Sequence, residues 1–232
     1  MSHEQLTRGE RFSPSRFSRI YWVLVSLRLA WAPLIKELLA SSPGLRVVDY
    51  GCGNMPYRPL WGTAKYVGLD FPSNDMADGF LALDGSLPLA DSSADCVFSS
   101  QVLEHVICPR SYLQEASRVL VPRGLLLLST HGVWRYHPDP GDYWRWTSAG
   151  LEKTLEDSGF KVIKMIGVVG PVATAIQLFQ DATVRFLPRL LRSVFVALCQ
   201  LAMQFFDSRC DPDTKIQDAC IYVVFAQSCR DS

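Results

Sequence analysis

Val47–Tyr57 reads VVDYGCGNMPY. An apolar run, LRVV (45–48), leads into an acid, Asp49, and a Gly-Cys-Gly turn follows directly after Tyr50. Two glycines that close behind an acid predict a strand ending in a tight loop, where bare backbone approaches a ligand.

Outward from this turn, strand-like runs alternate with helix-like ones. LRVVDY (45–50) is the first strand, KYVGLD (65–70) the second, FLALDG (80–85) a short third and ADCVFSS (94–100) the fourth. A helix over 109–120 starts at a proline, as helices tolerate at their first position. Pro122-Arg123-Gly124 then turns into LLLLST (125–130). A helix at 148–158, a strand at 160–169 and a last strand at 220–227 complete the series. Alternation of this kind predicts one mostly parallel sheet with helices on both faces and ligands at the carboxyl ends of its strands. Asp49, Asp70 and Asp84 all fall at such ends.

Two parts stand outside the alternation. Residues 1–43 read as a polar, loose tail (1–17) and a helical cap (18–40), one helix or two bent near Pro33. Residues 171–206 read as two helices broken at Pro188, inserted before the last strand of the α/β domain (44–232). The second is apolar from Val194 to Phe206 apart from Gln200 and Gln204, and Arg185, Arg189 and Arg192 flank it. Membrane contact, a homodimer interface and a lid or internal packing remain open for it.

Composition narrows the field. The chain has 232 residues, 48% of them hydrophobic, enough for one sizeable core. Lys+Arg and Asp+Glu both number 23, so there is no global pull on nucleic acid. Seven cysteines show no C-x-x-C spacing, which fits small buried residues in a reducing cytosol better than a disulfide or zinc framework. The N-terminus has no signal-peptide pattern, and its apolar run IYWVLVSL is too short to span a bilayer. The expected location is cytoplasmic, with membrane association left open by the 171–206 segment.

Three features agree on a nucleoside cofactor. The Gly-Cys-Gly turn is one. Asp70, about twenty residues beyond it at the end of the next strand, is at the spacing of an acid that reaches ribose hydroxyls. Asp84 is the third, placed to lie by an adenine amino group.

DYGCGN (49–54), YVGLD (66–70), LDGSLPLADSSADCVFSSQVLEHV (83–106) and EASRVLVPRGLLLLST (115–130) together resemble the class I S-adenosylmethionine-dependent methyltransferases of the small-molecule type, over roughly residues 44–166. The resemblance implies a Rossmann-like seven-stranded, mostly parallel sheet with an antiparallel last strand. It also implies S-adenosylmethionine as methyl donor, with S-adenosylhomocysteine as product. By the same resemblance, Asp49, Gly51, Cys52 and Gly53 line the methionine part. Asp70 and Phe71 lie by the ribose, Asp84 and Gly85 by the adenine, and Ser100 and Gln101 beneath the sulfonium, while His105 is a cofactor-side residue through the LEHV match. Glu104 belongs to the LEHV match without a clear role. Met55 stands where the family often has a third glycine, and a rearranged turn is expected.

The sulfonium methyl is already activated, so an enzyme mostly positions the acceptor. No metal is expected, and no metal-ligand spacing is visible. Thr130–Thr147, THGVWRYHPDPGDYWRWT, follows the fifth strand at the cofactor's edge and reads as an acceptor-binding loop. A base, if one is used, is His137, then Asp142 or His131. Tyr143, Trp144, Arg145 and Trp146 are the candidate acceptor-binding residues, and Asp139 shares their loop. The segment also resembles methyltransferases of bacterial cell-surface polysaccharide synthesis, implying O-methylation of a small molecule, sugar or lipid-linked glycan. Rival readings are a methyltransferase of a quinone, lipid or natural product, and an inactive cofactor-binding scaffold for a partner enzyme. No NPPY-like segment follows the fourth strand, which argues against a nucleic-acid methyltransferase.

Overall fold

The computed structural model describes residues 6–138 and 141–230, so Asp139 lies outside the described residues. The strands are β1 (Arg46–Tyr50), β2 (Lys65–Asp70), β3 (Gly79–Phe80), β4 (Ala94–Ser100), β5 (Leu120–His131), β6 (Phe160–Val168) and β7 (Ile221–Ser228). They form one sheet in the order β3-β2-β1-β4-β5-β7-β6. β1 pairs in parallel with β2 and β4, and β4 with β5, whereas β7 runs antiparallel between β5 and β6. This is the expected architecture: parallel strands whose carboxyl ends share one edge, closed by a reversed last strand.

Helices cover both faces. α3 (Pro109–Val119) and α4 (Ser148–Asp157) bury Leu113, Ala116, Leu151 and Leu155 against one face. The other face is covered by α2 (Tyr21–Ser41), with α5 (Pro171–Thr183) and α6 (Arg189–Asp207) beside it. Between β1 and β2 there is only a 3₁₀ turn (Arg58–Trp61) where a crossover helix would normally lie. α2 supplies the missing cover. Its Val23, Leu27, Trp31 and Ile35 pack with Trp61 of that turn and Phe98 of β4.

Several boundaries differ from the sequence reading. Of the two readings left open for the cap, one helix is found: α2 runs through Pro33. The proline removes one helical hydrogen bond, and packing on both sides of it keeps the helix continuous. The 1–17 tail is not all loose: Arg8–Phe12 forms α1, capped reciprocally by Thr7 and Glu10. The third strand shrinks to Gly79–Phe80, and Asp84 sits in a turn in which its carboxylate accepts from the Ser86 N–H and hydroxyl. β5 begins at Leu120, with Pro122-Arg123-Gly124 as a bulge inside it. Arg123 takes φ +58°, and a Cβ on Gly124 would meet the Val121 carbonyl at 2.8 Å. The insertion gains a short third helix, α7 (Pro212–Gln217).

Trp31 is fully buried and Leu29 is 57% exposed on the same helix. Trp31→Ala should cost about 3–5 kcal/mol in urea unfolding, whereas Leu29→Ala should stay within about 0.5 kcal/mol. Equal effects would contradict the packing of α2 on the sheet.

Candidate functional site

The first half of the site is the turn after β1. Gly51 has φ +76°, and an added Cβ would lie 2.8 Å from Val102, so only glycine lets this turn close on the turn after β4. The Gly51 and Cys52 N–H groups both donate to the Leu69 carbonyl, at 2.9 and 3.1 Å. Gly53, at φ +51°, has nothing within 4 Å of where a Cβ would stand, so its backbone is bare on that side. Met55 keeps a positive φ of 50° although it is not glycine, and its buried side chain fills the space over Gly68. The turn is therefore held by packing where a third glycine would have relaxed it.

Asp70 ties the turn to β2. One carboxylate oxygen accepts from the Gly53 N–H at 2.8 Å and from Asn74 Nδ2 at 2.9 Å, and the other accepts from the Phe71 N–H at 2.8 Å. Two carboxylate oxygens offer about four lone-pair positions, so acceptor capacity remains on the second. Asn74 also donates to the Gly53 carbonyl. Arg8, the first residue of α1, donates to the Asn54 carbonyl at 2.7 Å, and Asn54 donates back to the Leu6 carbonyl, so the N-terminal segment lies across the turn. Asn54 and Asn74 were not singled out from the sequence; an amide a few residues past a strand-end acid is a weak signal.

Asp49 is buried and accepts a short hydrogen bond from the Tyr66 hydroxyl. Burial, with the negative charges of Asp70 and Asp78, raises its pKa to about 7 against the opposing Tyr66 bond. The Cys52 side chain points inward and is almost fully buried, which leaves only its backbone for a ligand. Burial, then the nearby Asp49, pushes its thiol well above the usual range. Farther along the edge, Phe71 (44% exposed) and Leu83 (91% exposed) present apolar surface by Gly85, whose φ is +86°. The Phe71 ring lies 3.9 Å from the position of a Cβ on Gly85. Ser100 and Gln101 sit at the end of β4, both hydrogen-bonded to the Ser129 hydroxyl.

The second half is the 131–147 segment after β5. It folds back over the turn after β4: the Tyr143 N–H donates to the Glu104 carbonyl at 2.8 Å and Trp144 Nε1 to the Val106 carbonyl at 2.8 Å. Arg145 holds the segment together. Its guanidinium grips Asp142 at 2.5 and 2.6 Å and also donates to the carbonyls of Trp134, Arg135 and Trp144. Burial of Asp142 is outweighed by these bonds, and its pKa lies well below the usual carboxylate range. With its five N–H donors so engaged, Arg145 is committed to its own loop. Trp146 is partly buried in the core under α3 and α4. Of the four expected acceptor-binding residues, Tyr143 and Trp144 remain exposed.

The three expected catalytic residues do come together, and two more join them. Asp142 accepts from the His137 N–H at 2.8 Å. The His131 ring stacks on Trp134 and stands 4.9 Å from the His137 ring. Glu104 is fully buried beside them, its Oε2 accepting from Thr130 at 2.9 Å and its Oε1 lying 3.5 Å from His131 Nε2. His105, expected on the cofactor side, belongs to this group: its ring is 5.0 Å from that of His137, and it pairs with the Gly141 carbonyl through Nδ1. Burial, then His105, lowers His137 to about 4, so it is neutral at pH 7. Burial, then His137, takes His131 well below its ordinary value, and burial raises Glu104. No metal-ligand spacing is visible in the sequence, yet in the structure Glu104, His131 and His137 bring three ligand-type atoms within 4.8 Å of one another. Sequence spacing hides the cluster because Glu104 follows β4 whereas His131 ends β5 and His137 follows it.

Breaking the Arg145–Asp142 pair leaves a buried carboxylate unpaired. Arg145→Met should cost about 3 kcal/mol and speed hydrogen exchange of residues 141–147. Unchanged stability and exchange would contradict its role in holding the loop.

A family model described as "Methyltransferase domain" matches residues 48–128. A Mycolicibacterium smegmatis protein named "Probable S-adenosylmethionine-dependent methyltransferase" is 29% identical across 69% of this chain and 67% of its own length. An "Uncharacterized methyltransferase" of Mycobacterium sp. (strain JLS) is 34% identical across 53% of this chain and 54% of its own. The chain thus matches between about half and two thirds of these relatives' lengths. The crystal structure of an S-adenosylmethionine-dependent methyltransferase from Mesorhizobium loti superposes with a TM-score of 0.52 at 17% identity, covering 84% of this chain and 96% of that one. At that identity the likeness is one of fold. The matched segment contains the glycine turn, Asp70 and the loop ending β4: residues 48–128 form a methyltransferase domain, and the chain is similar to the class I S-adenosylmethionine-dependent methyltransferases, with S-adenosylmethionine as the cofactor.

Proposed function

We propose that the protein transfers the methyl group of S-adenosylmethionine to an oxygen of a small-molecule or glycan acceptor bound under the 131–147 segment. The observation that carries this reading is the juxtaposition of two unlike half-sites at one sheet edge. One is a backbone-lined turn with a strand-end acid, and the other a cluster of histidines and carboxylates beneath exposed aromatic rings.

The residues fit the cofactor. The bare backbone at Gly53 and the free acceptor capacity of Asp70 suit the methionine part and the ribose hydroxyls. Phe71 and Leu83 beside Gly85 offer apolar surface for an adenine, and Ser100 and Gln101 floor the space between. Asp49 at about pKa 7 would gain charge beside a cationic ligand. The cofactor supplies a methyl group already activated by its positive sulfur. This chain's residues have to position the acceptor and take its proton. His137 is neutral and half-buried, with Asp142 at 3.4 Å from its Nδ1 to stabilise the imidazolium that forms. Tyr143 and Trp144 present ring faces on which a sugar or aromatic acceptor can stack.

The outer face of α6 favours an acceptor held at a lipid surface. Leu190 (92% exposed), Leu191, Val194, Leu198, Leu201 and Phe205 form an uncovered apolar strip, while Val196, Cys199 and Met203 face the protein. The helix also meets the length and apolarity expected of a membrane span, though one side of it packs on the fold. Arg185, Arg189, Arg192 and Arg209 lie near its ends, and no exposed acid interrupts it between 189 and 206. A cation-rimmed apolar face matches an anionic bilayer and disfavours a second copy of itself.

Asp70→Ala should weaken S-adenosylhomocysteine binding at least tenfold by calorimetry, on the scale of about 1.4 kcal/mol or more per lost charge-assisted contact. Unchanged affinity would sink the cofactor placement. The intact protein should co-sediment with vesicles containing anionic lipid, and Leu198→Glu/Leu201→Glu should abolish this without changing its mass in solution. A loss of dimer mass on that substitution, with no vesicle binding by the parent, would assign the strip to self-association.

A further inference from the structure

The Glu104–His131–His137 cluster has properties that proton transfer alone does not explain. Among the described residues, Glu104 Oε1 and His131 Nδ1 are buried without any hydrogen-bond partner, and so is His137 Nδ1. Buried polar atoms are nearly always paired, so three orphans in one cluster point to an absent group. The approaches between side chains are too long for hydrogen bonds: 3.5 Å from Glu104 Oε1 to His131 Nε2 and 3.9 Å to His105 Nε2. They suit something else. With metal–ligand bonds of about 2.0–2.1 Å, neighbouring donors of a tetrahedral site stand about 3.4 Å apart.

The surroundings fix the donors in ligating form. Glu104 Oε2 is taken by Thr130, which leaves Oε1 aimed at the histidines. His105 donates through Nδ1 to the Gly141 carbonyl, so its Nε2 carries the lone pair and faces Glu104. The His131 ring is clamped parallel to Trp134 at 5.2 Å, and His131 and His137 meet at 87°. Among the described residues no lysine or arginine forms an ion pair with Glu104, and the nearby Arg145 is spent on Asp142 and backbone carbonyls.

We propose that Glu104, His131 and His137, with His105 as a fourth donor, form a binding site for a divalent transition-metal ion that presents an open position to the methyl acceptor. Imidazole with one carboxylate selects zinc, manganese, iron or nickel over calcium and magnesium, which prefer all-oxygen sites. The role at the open position rests on the methyl-transfer reading above; the metal site itself does not. An acceptor hydroxyl bound to the ion loses its proton to solvent, and His137 is then a ligand and no longer the base. The resulting oxyanion forms the bond to the methyl carbon, and the sulfur keeps the electron pair of the broken S–C bond as a neutral thioether.

The test uses the untagged full chain, stripped with a chelator and titrated with Co²⁺ under visible absorption, with S-adenosylhomocysteine binding measured on the same samples. One Co²⁺ per chain, an intense visible band of four- or five-coordinate cobalt, and displacement by Zn²⁺ are expected. Glu104→Gln and His137→Gln should each weaken Co²⁺ at least tenfold, with His137→Gln retaining S-adenosylhomocysteine affinity within about twofold. His137 is partly exposed, so it decides the matter if Glu104→Gln does not fold. Absence of the band, or Co²⁺ affinity unchanged in His137→Gln, overturns the site. Co²⁺ binding by a wild type that does not bind S-adenosylhomocysteine upholds the metal site and overturns the cofactor placement instead.

Discussion

Glu104 joins the two halves of this protein's working edge. It is fully buried, and every part of it is used by a different element. Its carboxylate receives Thr130 at the end of β5, its carbonyl receives the Tyr143 and Trp144 N–H groups, and its free oxygen faces His131 and His105. A buried carboxyl is costly unless bonded or paired, so the chain around it has little freedom. Remove Glu104 and the 131–147 segment loses its anchor over the sheet edge.

The two halves are built by different means. The cofactor half is mostly backbone: glycine at positive φ, a close approach to Val102, and a single acid that ties the turn to β2. It serves any ligand with the cofactor's shape and says little about the acceptor. The proposed acceptor half is mostly side chain, with aromatic rings, histidines and the Asp142–Arg145 pair held in a loop whose described residues lack regular secondary structure. Its rigidity comes from Arg145 spending its donors inside the loop and from Arg135 reaching Asp181 of α5 at 3.0 Å. That last contact links this loop to the helices whose outer face is apolar, so the proposed membrane attachment and acceptor binding would share one structural unit.

What the sequence made legible was local. The glycine turn, the strand-end acids and the order of elements follow from short-range patterns, and the sheet came out as expected. Asp84 is misplaced by the sequence because FLAL is a short apolar run that reads as a strand, while Asp84 and Ser86 fold the chain into a turn. α1 was passed over although Thr7 and Glu10 spell a capping box, because none of its residues is buried and no apolar face announces it. The histidine cluster was half legible: His131, His137 and Asp142 lie in one loop, but Glu104 meets Thr130 across 26 residues, a distance that no spacing rule spans. Arg145 and Trp146 looked like acceptor contacts because of their side-chain types, and only the geometry shows them occupied by the loop and the core.

The central claim is that the cofactor lies across the carboxyl ends of β1, β2 and β4, against the segment that Glu104 anchors. Amide hydrogen exchange with and without S-adenosylhomocysteine tests its position directly. Slowed exchange confined to residues 51–55, 70–74, 83–86 and 100–105 is predicted, with smaller protection in 141–147. Protection at the opposite, amino-terminal edge of these strands, or none anywhere in a protein that binds the ligand, would contradict it.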